Sequence, residues 1–177
     1  MINTSLKYLS LFESFNAGPL VKRYSGFTGG PVWHVSNSPI DQVDQTKPMW
    51  FALEYDHSLK GWYENSIQDS GSAYLYEAFI SGKIAIQGDP AIDKLFDAEG
   101  LDIVDDYIVE VIVQNPTADE VEESAGTQLL KAAGYVGLIY YDYDPRDFEK
   151  DLEALIIFNQ SSITEFSLKL TTSDEIH

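Results

Sequence analysis

The chain has 177 residues, a length that suits one domain, and 44% of it is apolar, enough to build a core without staples. It contains no cysteine, which excludes a disulfide scaffold, a thiolate nucleophile and a cysteine-ligated zinc site. Its 11 Lys and Arg face 29 Asp and Glu, a formal charge of −18, which is the wrong sign for general binding to a phosphate backbone or an anionic membrane.

Aromatic residues make up 13% of the chain, including 11 Tyr, so the acidic excess does not signal disorder. Residues 1–17 carry Leu6, Leu9, Leu11, Phe12 and Phe15, an imperfect helical stripe that reads as a leader or docking helix ahead of a single domain over 18–177. They lack the cationic start and small-residue cleavage site of a secretory signal. Gly18-Pro19, Gly26 and Gly29-Gly30-Pro31 predict a loop over 18–31. Val32–Ser36 follows as a strand, 37–48 as a polar loop, and Met49–Leu53 as a second short apolar run. Asp56 is a candidate cap for a helix running to Tyr63, weakened by Gly61.

Ala73–Ile80 and Lys83–Ile86 are rich in aromatic and β-branched residues, hence strands. Ile92–Glu99 is a short helix. Tyr107–Val113 is strand-like by composition, with a buried helix as the alternative, and Asn115-Pro116 ends it. Ala118–Ala133 is helical, acidic in its first turns and stopped by Gly134. Tyr135–Tyr141, Glu153–Phe158 and Ile163–Leu170 read as strands, with a polar loop over 142–150. No apolar run approaches the ~20 residues of a membrane span. Strands outnumber helices without strict β-α-β alternation, so the expected class is α+β with a largely antiparallel sheet.

No phosphate-cradling Gly-x-x-x-x-Gly-Lys-Ser/Thr loop, dinucleotide Gly-x-Gly-x-x-Gly or Gly-x-Ser-x-Gly elbow is present. Histidine occurs at 34, 57 and 177, and a site using all of them would need the last residue, so no metal site is expected. What remains is a constellation. His34 sits near a strand end with Ser36 on the same face. Trp50 and Phe51 lie in the next apolar run, and Ser58 and Trp62 share a helix face. Glu153 opens a strongly apolar strand, where a carboxylate at the mouth of a buried strand is a single well-aimed charge.

Three blocks, in order, resemble the ADP-ribosyltransferases of the His-Tyr-Glu class, the diphtheria-toxin-like and poly(ADP-ribose)-polymerase-like group, and small phage-encoded relatives. Val32-Trp33-His34-Val35-Ser36 is similar to a strand ending in Tyr/Trp-His-Gly-Thr/Ser. Pro48-Met49-Trp50-Phe51-Ala52, followed by Ser58 to Tyr63, is similar to Gly-Ile-Tyr-Phe-Ala and a helix holding Ser and a second Tyr. Glu153-Ala154-Leu155-Ile156-Ile157-Phe158-Asn159 is similar to Glu-Tyr-Ile-Val-Tyr/Phe-Asn/Asp. Ala132–Ile139 also resembles the Gly-Tyr-Asp-Gly segment of phage relatives. The sequence departs from the pattern where Val35 follows His34 in place of Gly, where Trp50 replaces Tyr, and where Gly61 falls at the second Tyr position.

The resemblance implies a split, largely antiparallel β-architecture with short peripheral helices, and NAD as co-substrate with no metal. His34 would bond the adenosine ribose and orient the nicotinamide, and the Val35 backbone would hold its carboxamide. Ser36 and Ser58 would be polar neighbours. Trp50, with Trp62 or Tyr63, would sandwich the cationic ring, with Phe51 beside them. Glu153 would bond the nicotinamide-ribose hydroxyl and stabilise the oxocarbenium-like transition state. His34, Trp50 and Glu153 would then line one cleft between two sheets. The implied acceptor is a macromolecule of a bacterial host, and the charge points to a basic protein. The implied location is the host cytoplasm. Leu11-Phe12-Glu13 resembles the end of capsid-targeting leaders of large tailed phages, which would add packaging in the virion.

A second function fits the charge. The stretch 89–123 holds 12 Asp and Glu against Lys94 alone, so a catalytically degenerate chain could mimic nucleic acid and inhibit a basic host factor. An acidic surface would also repel the pyrophosphate of NAD, leaving Lys22-Arg23 as the candidate basic patch guarding the site.

Overall fold

The computed structural model describes residues 18–44, 47–55, 57–101, 104–113, 117–143 and 151–171. The leader, the Asp56 cap, Asn115-Pro116, Arg146, His177 and most of the loop expected over 142–150 lie outside the described residues, as do the side chains of His57 and Ser58. The class is α+β: one mostly antiparallel sheet with short helices, none of which, among the described residues, is long and apolar enough to cross a membrane.

In chain order the elements are α1 (Gly18–Tyr24), β1 (Val32–Ser36), β2 (Met49–Ala52), α2 (His57–Ser70), β3 (Tyr74–Ile80), β4 (Lys83–Ile86), α3 (Pro90–Ala98), α4 (Val104–Tyr107, continued as a π-helical turn over Ile108–Val113), α5 (Ala118–Glu123), α6 (Ala125–Ala132), β5 (Tyr135–Tyr143), β6 (Asp151–Ile157) and β7 (Ile163–Thr171). The seven strands lie in the order β4-β5-β6-β2-β1-β3-β7, and only β4 with β5 is parallel. The expected strands are present, with β5 running two residues further than expected, into Asp142 and Tyr143.

Helix α2 runs on past the expected end at Tyr63 to Ser70, and three further elements differ from the sequence reading. Residues 18–24 form a helix where Gly18-Pro19 suggested a loop. Proline is well suited to the first helical turn, where its missing N–H has no partner to lose, and Leu20, fully buried, anchors the helix to the sheet. Tyr107–Val113 is helical. Val104, Tyr107, Ile108 and Ile112 are all buried in one cluster, a helical spacing that outweighs the β-branched composition. The helix expected over 118–133 is two helices. Ser124, in extended conformation at φ −65° and ψ 144°, ends α5 and caps α6, accepting from the Thr127 N–H at 3.3 Å.

Helices α2 to α6 cover one face of the sheet. Trp50, Tyr140, Ala154 and Ile156 meet α3–α6 there, and Ala52, Leu75 and Val35 meet Leu59 and Tyr63 of α2. The other face buries Val32, Phe51, Leu53, Ile139, Leu155 and Ile157 beneath Leu20 and Tyr24 of α1. The link from α1 to β1 crosses tightly over β3. Gly29 has φ +101°, and a Cβ there would stand 1.8 Å from the Ile80 carbonyl oxygen.

Candidate active site

The three sequence blocks occupy neighbouring strands, β6, β2 and β1, although about a hundred residues separate the first from the last. The sheet is thin at its centre. β1 pairs with β3 along its whole length and β2 with β6 likewise, but β1 and β2 share one residue pair, Trp33 with Ala52. The expected pair of separate sheets is therefore a single seven-stranded sheet with a narrow seam.

His34 fills that seam. Its Nδ1 lies 2.8 Å from the Trp50 carbonyl oxygen. A carbonyl only accepts, so Nδ1 carries the proton and Nε2 is left as an acceptor. Burial lowers the His34 pKa below its ordinary value, against the opposing pull of the Trp50 carbonyl bond, so the imidazole is neutral near pH 7. Its ring stands 5.8 Å from that of Phe51, which is fully buried and pairs with Leu155 on β6.

Glu153 projects from the same face as His34, Phe51 and Leu155, by the alternation of side chains along paired strands. It lies two strands and one pleat from His34, an α-carbon separation of about 12 Å at ordinary sheet spacing. Both carboxylate oxygens are engaged. Oε1 accepts from Arg23 Nη1 at 3.1 Å, and Oε2 accepts from the Tyr24 hydroxyl. The other Arg23 nitrogen, Nη2, donates to Glu54, just past β2. Burial and the bond to Glu153 raise the Tyr24 pKa well above its ordinary value, so the phenol keeps its proton.

The Trp50 side chain is not brought together with those of His34 and Glu153. It alternates with Phe51 and faces α3–α6, where it packs against the cluster that holds Tyr140. Tyr63 is also core, 1% exposed, with its hydroxyl donating to the Thr171 carbonyl at 2.5 Å. Trp62, by contrast, lines a cavity of about 550 Å³ between the end of β1 and α2, shared with His34, Val35, Ser36 and Asn37. Asn65, Ser66, Asp69 and Ser70 also line it, with no cation among the described lining residues. Such a lining offers a ring face and many donors and acceptors, which suits an uncharged polar ring or a sugar better than a phosphate. Ser36 Oγ donates to the Ser38 carbonyl at 2.7 Å, holding the turn after β1.

The sequence reading did not find Tyr24, Glu54, Asn65 or Asp69. It offered Lys22-Arg23 as a candidate basic patch, and Arg23 pairs with Glu153. Among the described residues no three His, Asp or Glu side chains gather as a metal site would. No protein-family model matches the sequence, and no curated protein or solved structure does so either.

Proposed function

We propose that the chain is an NAD-dependent ADP-ribosyltransferase that modifies a macromolecule of a bacterial host. The observation that carries this reading is the convergence of three sequence-distant blocks on β1, β2 and β6, with His34 and Glu153 on one face. In this reading the His34 Nε2 accepts from a ribose hydroxyl, and Trp62 supplies a ring face in the adjoining cavity. The bond from ribose C1 to the nicotinamide nitrogen breaks, and its electron pair neutralises the pyridinium. Positive charge develops on the sugar, where the Glu153 carboxylate stabilises it more in the transition state than in the ground state. The acceptor then attacks C1 and loses its proton. The resemblance to the His-Tyr-Glu transferases supports the same roles for Val35 and Ser36, whereas Trp50 and Tyr63 belong to the core.

Calorimetry with NAD tests the site. Trp62→Ala is expected to weaken binding by about tenfold, the value of one lost stacking contact of about 1.4 kcal/mol. Equal affinity in the two proteins would remove Trp62 from the site.

One observation favours a second reading. Glu153 is charge-compensated by Arg23, and Trp50 faces away from it, as in a transferase scaffold whose catalysis has lapsed. An acidic protein of this kind would bind a basic host factor through the acidic stretch around α3–α5. Absence of NAD binding, together with capture of a basic partner, supports that reading over the first.

A further inference from the structure

We infer that α1 is an autoinhibitory latch on Glu153, in which Tyr24 positions the carboxylate and Arg23 masks its charge. The inference rests on the proposed transferase reading and concerns the regulation of the same site.

Adjacent residues of one short helix take the two oxygens of a single carboxylate. They do chemically different things to it. The Tyr24 hydroxyl is neutral and stays protonated, so it fixes the carboxylate in place without cancelling its charge. The Arg23 guanidinium brings a full positive charge to within 3.1 Å of Glu153 Oε1. The reaction needs an uncompensated negative charge beside a sugar that is becoming positive. A guanidinium in that place opposes the same developing charge that the carboxylate would stabilise. The helix also lies over the floor between the two site residues, because Leu20 and Tyr24 share a buried cluster with Phe51, Leu53 and Leu155.

The latch is built to open. The Arg23 side chain is 50% exposed, whereas that of Glu153 is 20% exposed, so the cation can swing into solvent while the carboxylate stays in place. Glu54 offers Arg23 a second seat, and a guanidinium bonded to Glu54 alone leaves Glu153 bare. Both pairs are reachable by solvent and weaken with salt. The hold on the fold comes from Leu20 and Tyr24, which are buried, so removing the Arg23 side chain leaves α1 in place.

The test is the rate of nicotinamide release from NAD by the full chain, with a bacterial lysate as the source of acceptor and a lysate blank subtracted, as wild type, Arg23→Ala, Arg23→Lys, Tyr24→Phe and Glu153→Gln, each checked for folding by its melting curve. Arg23→Ala is expected to release nicotinamide about tenfold faster than wild type at low salt. Arg23→Lys, which keeps the charge, stays near the wild-type rate. At saturating NAD, added salt speeds wild type toward Arg23→Ala and leaves Arg23→Ala unchanged. Tyr24→Phe lowers kcat with KM unchanged, as expected of a residue that positions the carboxylate rather than binding substrate. If release depends on Glu153 but Arg23→Ala is folded and no faster than wild type, the latch is overturned and the transferase reading stands. If no variant releases nicotinamide, the transferase reading falls and the latch with it.

Discussion

At the scale of single residues, His34 carries a pH signature that tests its burial. Burial lowers its pKa in the native chain, while the unfolded chain keeps the ordinary value near 6.5. Above that value both states are neutral and His34 contributes no pH dependence. Below it the unfolded chain takes up a proton that the native chain resists, so stability is lost as pH falls from 6.5 toward the native pKa. The melting temperature of wild type is therefore expected to fall more steeply than that of His34→Gln between about pH 7 and pH 5. Parallel curves would contradict the burial of the ring. His34 and Glu153 were legible in the sequence because each is a polar residue in a run of strand-forming ones. Trp50 was not, because the face it takes depends on which neighbour its strand pairs with, and no local signal specifies that. Trp62 and Tyr63 could have been told apart, since Leu59 and Tyr63 are four apart and share the core face, with Trp62 a step around the helix.

At the scale of elements, α4 and α6 meet through a missing side chain. A Cβ on Gly126 would stand 2.5 Å from the Tyr107 ring, and beside it the Tyr107 hydroxyl shares a hydrogen bond with Thr127 Oγ1 at 2.6 Å. Gly126→Ala is expected to destabilise the fold by about 1–3 kcal/mol through overpacking, read as a lower denaturant midpoint with unchanged slope. A helix interior normally favours Ala over Gly, so a stabilised variant would contradict the close packing. The same junction explains why one expected helix is two. Ser124 is bound to its own neighbours, donating to the Val121 carbonyl at 2.9 Å and accepting from the Thr127 N–H. The acidic first turns and terminal Gly134 mark the outer ends correctly but carry no sign of the break. The strand-like composition of 107–113 misleads for another reason: Ile108 and Ile112 are buried at helical spacing by neighbours far away in sequence.

At the scale of the whole molecule, the charge of −18 acts on everything that approaches the site. The one arginine beside Glu153 is already bonded to two carboxylates, so it offers little to a pyrophosphate. In the proposed reading, NAD binding is therefore expected to tighten as salt is raised toward about 0.3 M, because screening weakens repulsion that no basic patch among the described residues offsets. Affinity that falls with salt would show that a cation does meet the phosphates. The same field favours encounter with a basic acceptor, and that attraction weakens with salt, so binding of co-substrate and of target should respond in opposite directions. In the proposed reading Glu153 drives the transfer of ADP-ribose. The most direct test of that role is incubation of the protein with NAD labelled on the adenylate phosphate and a bacterial lysate, beside Glu153→Gln. Label is expected on host macromolecules with wild type, with a loss of at least about a hundredfold with Glu153→Gln. Label transfer that survives Glu153→Gln undiminished would contradict it.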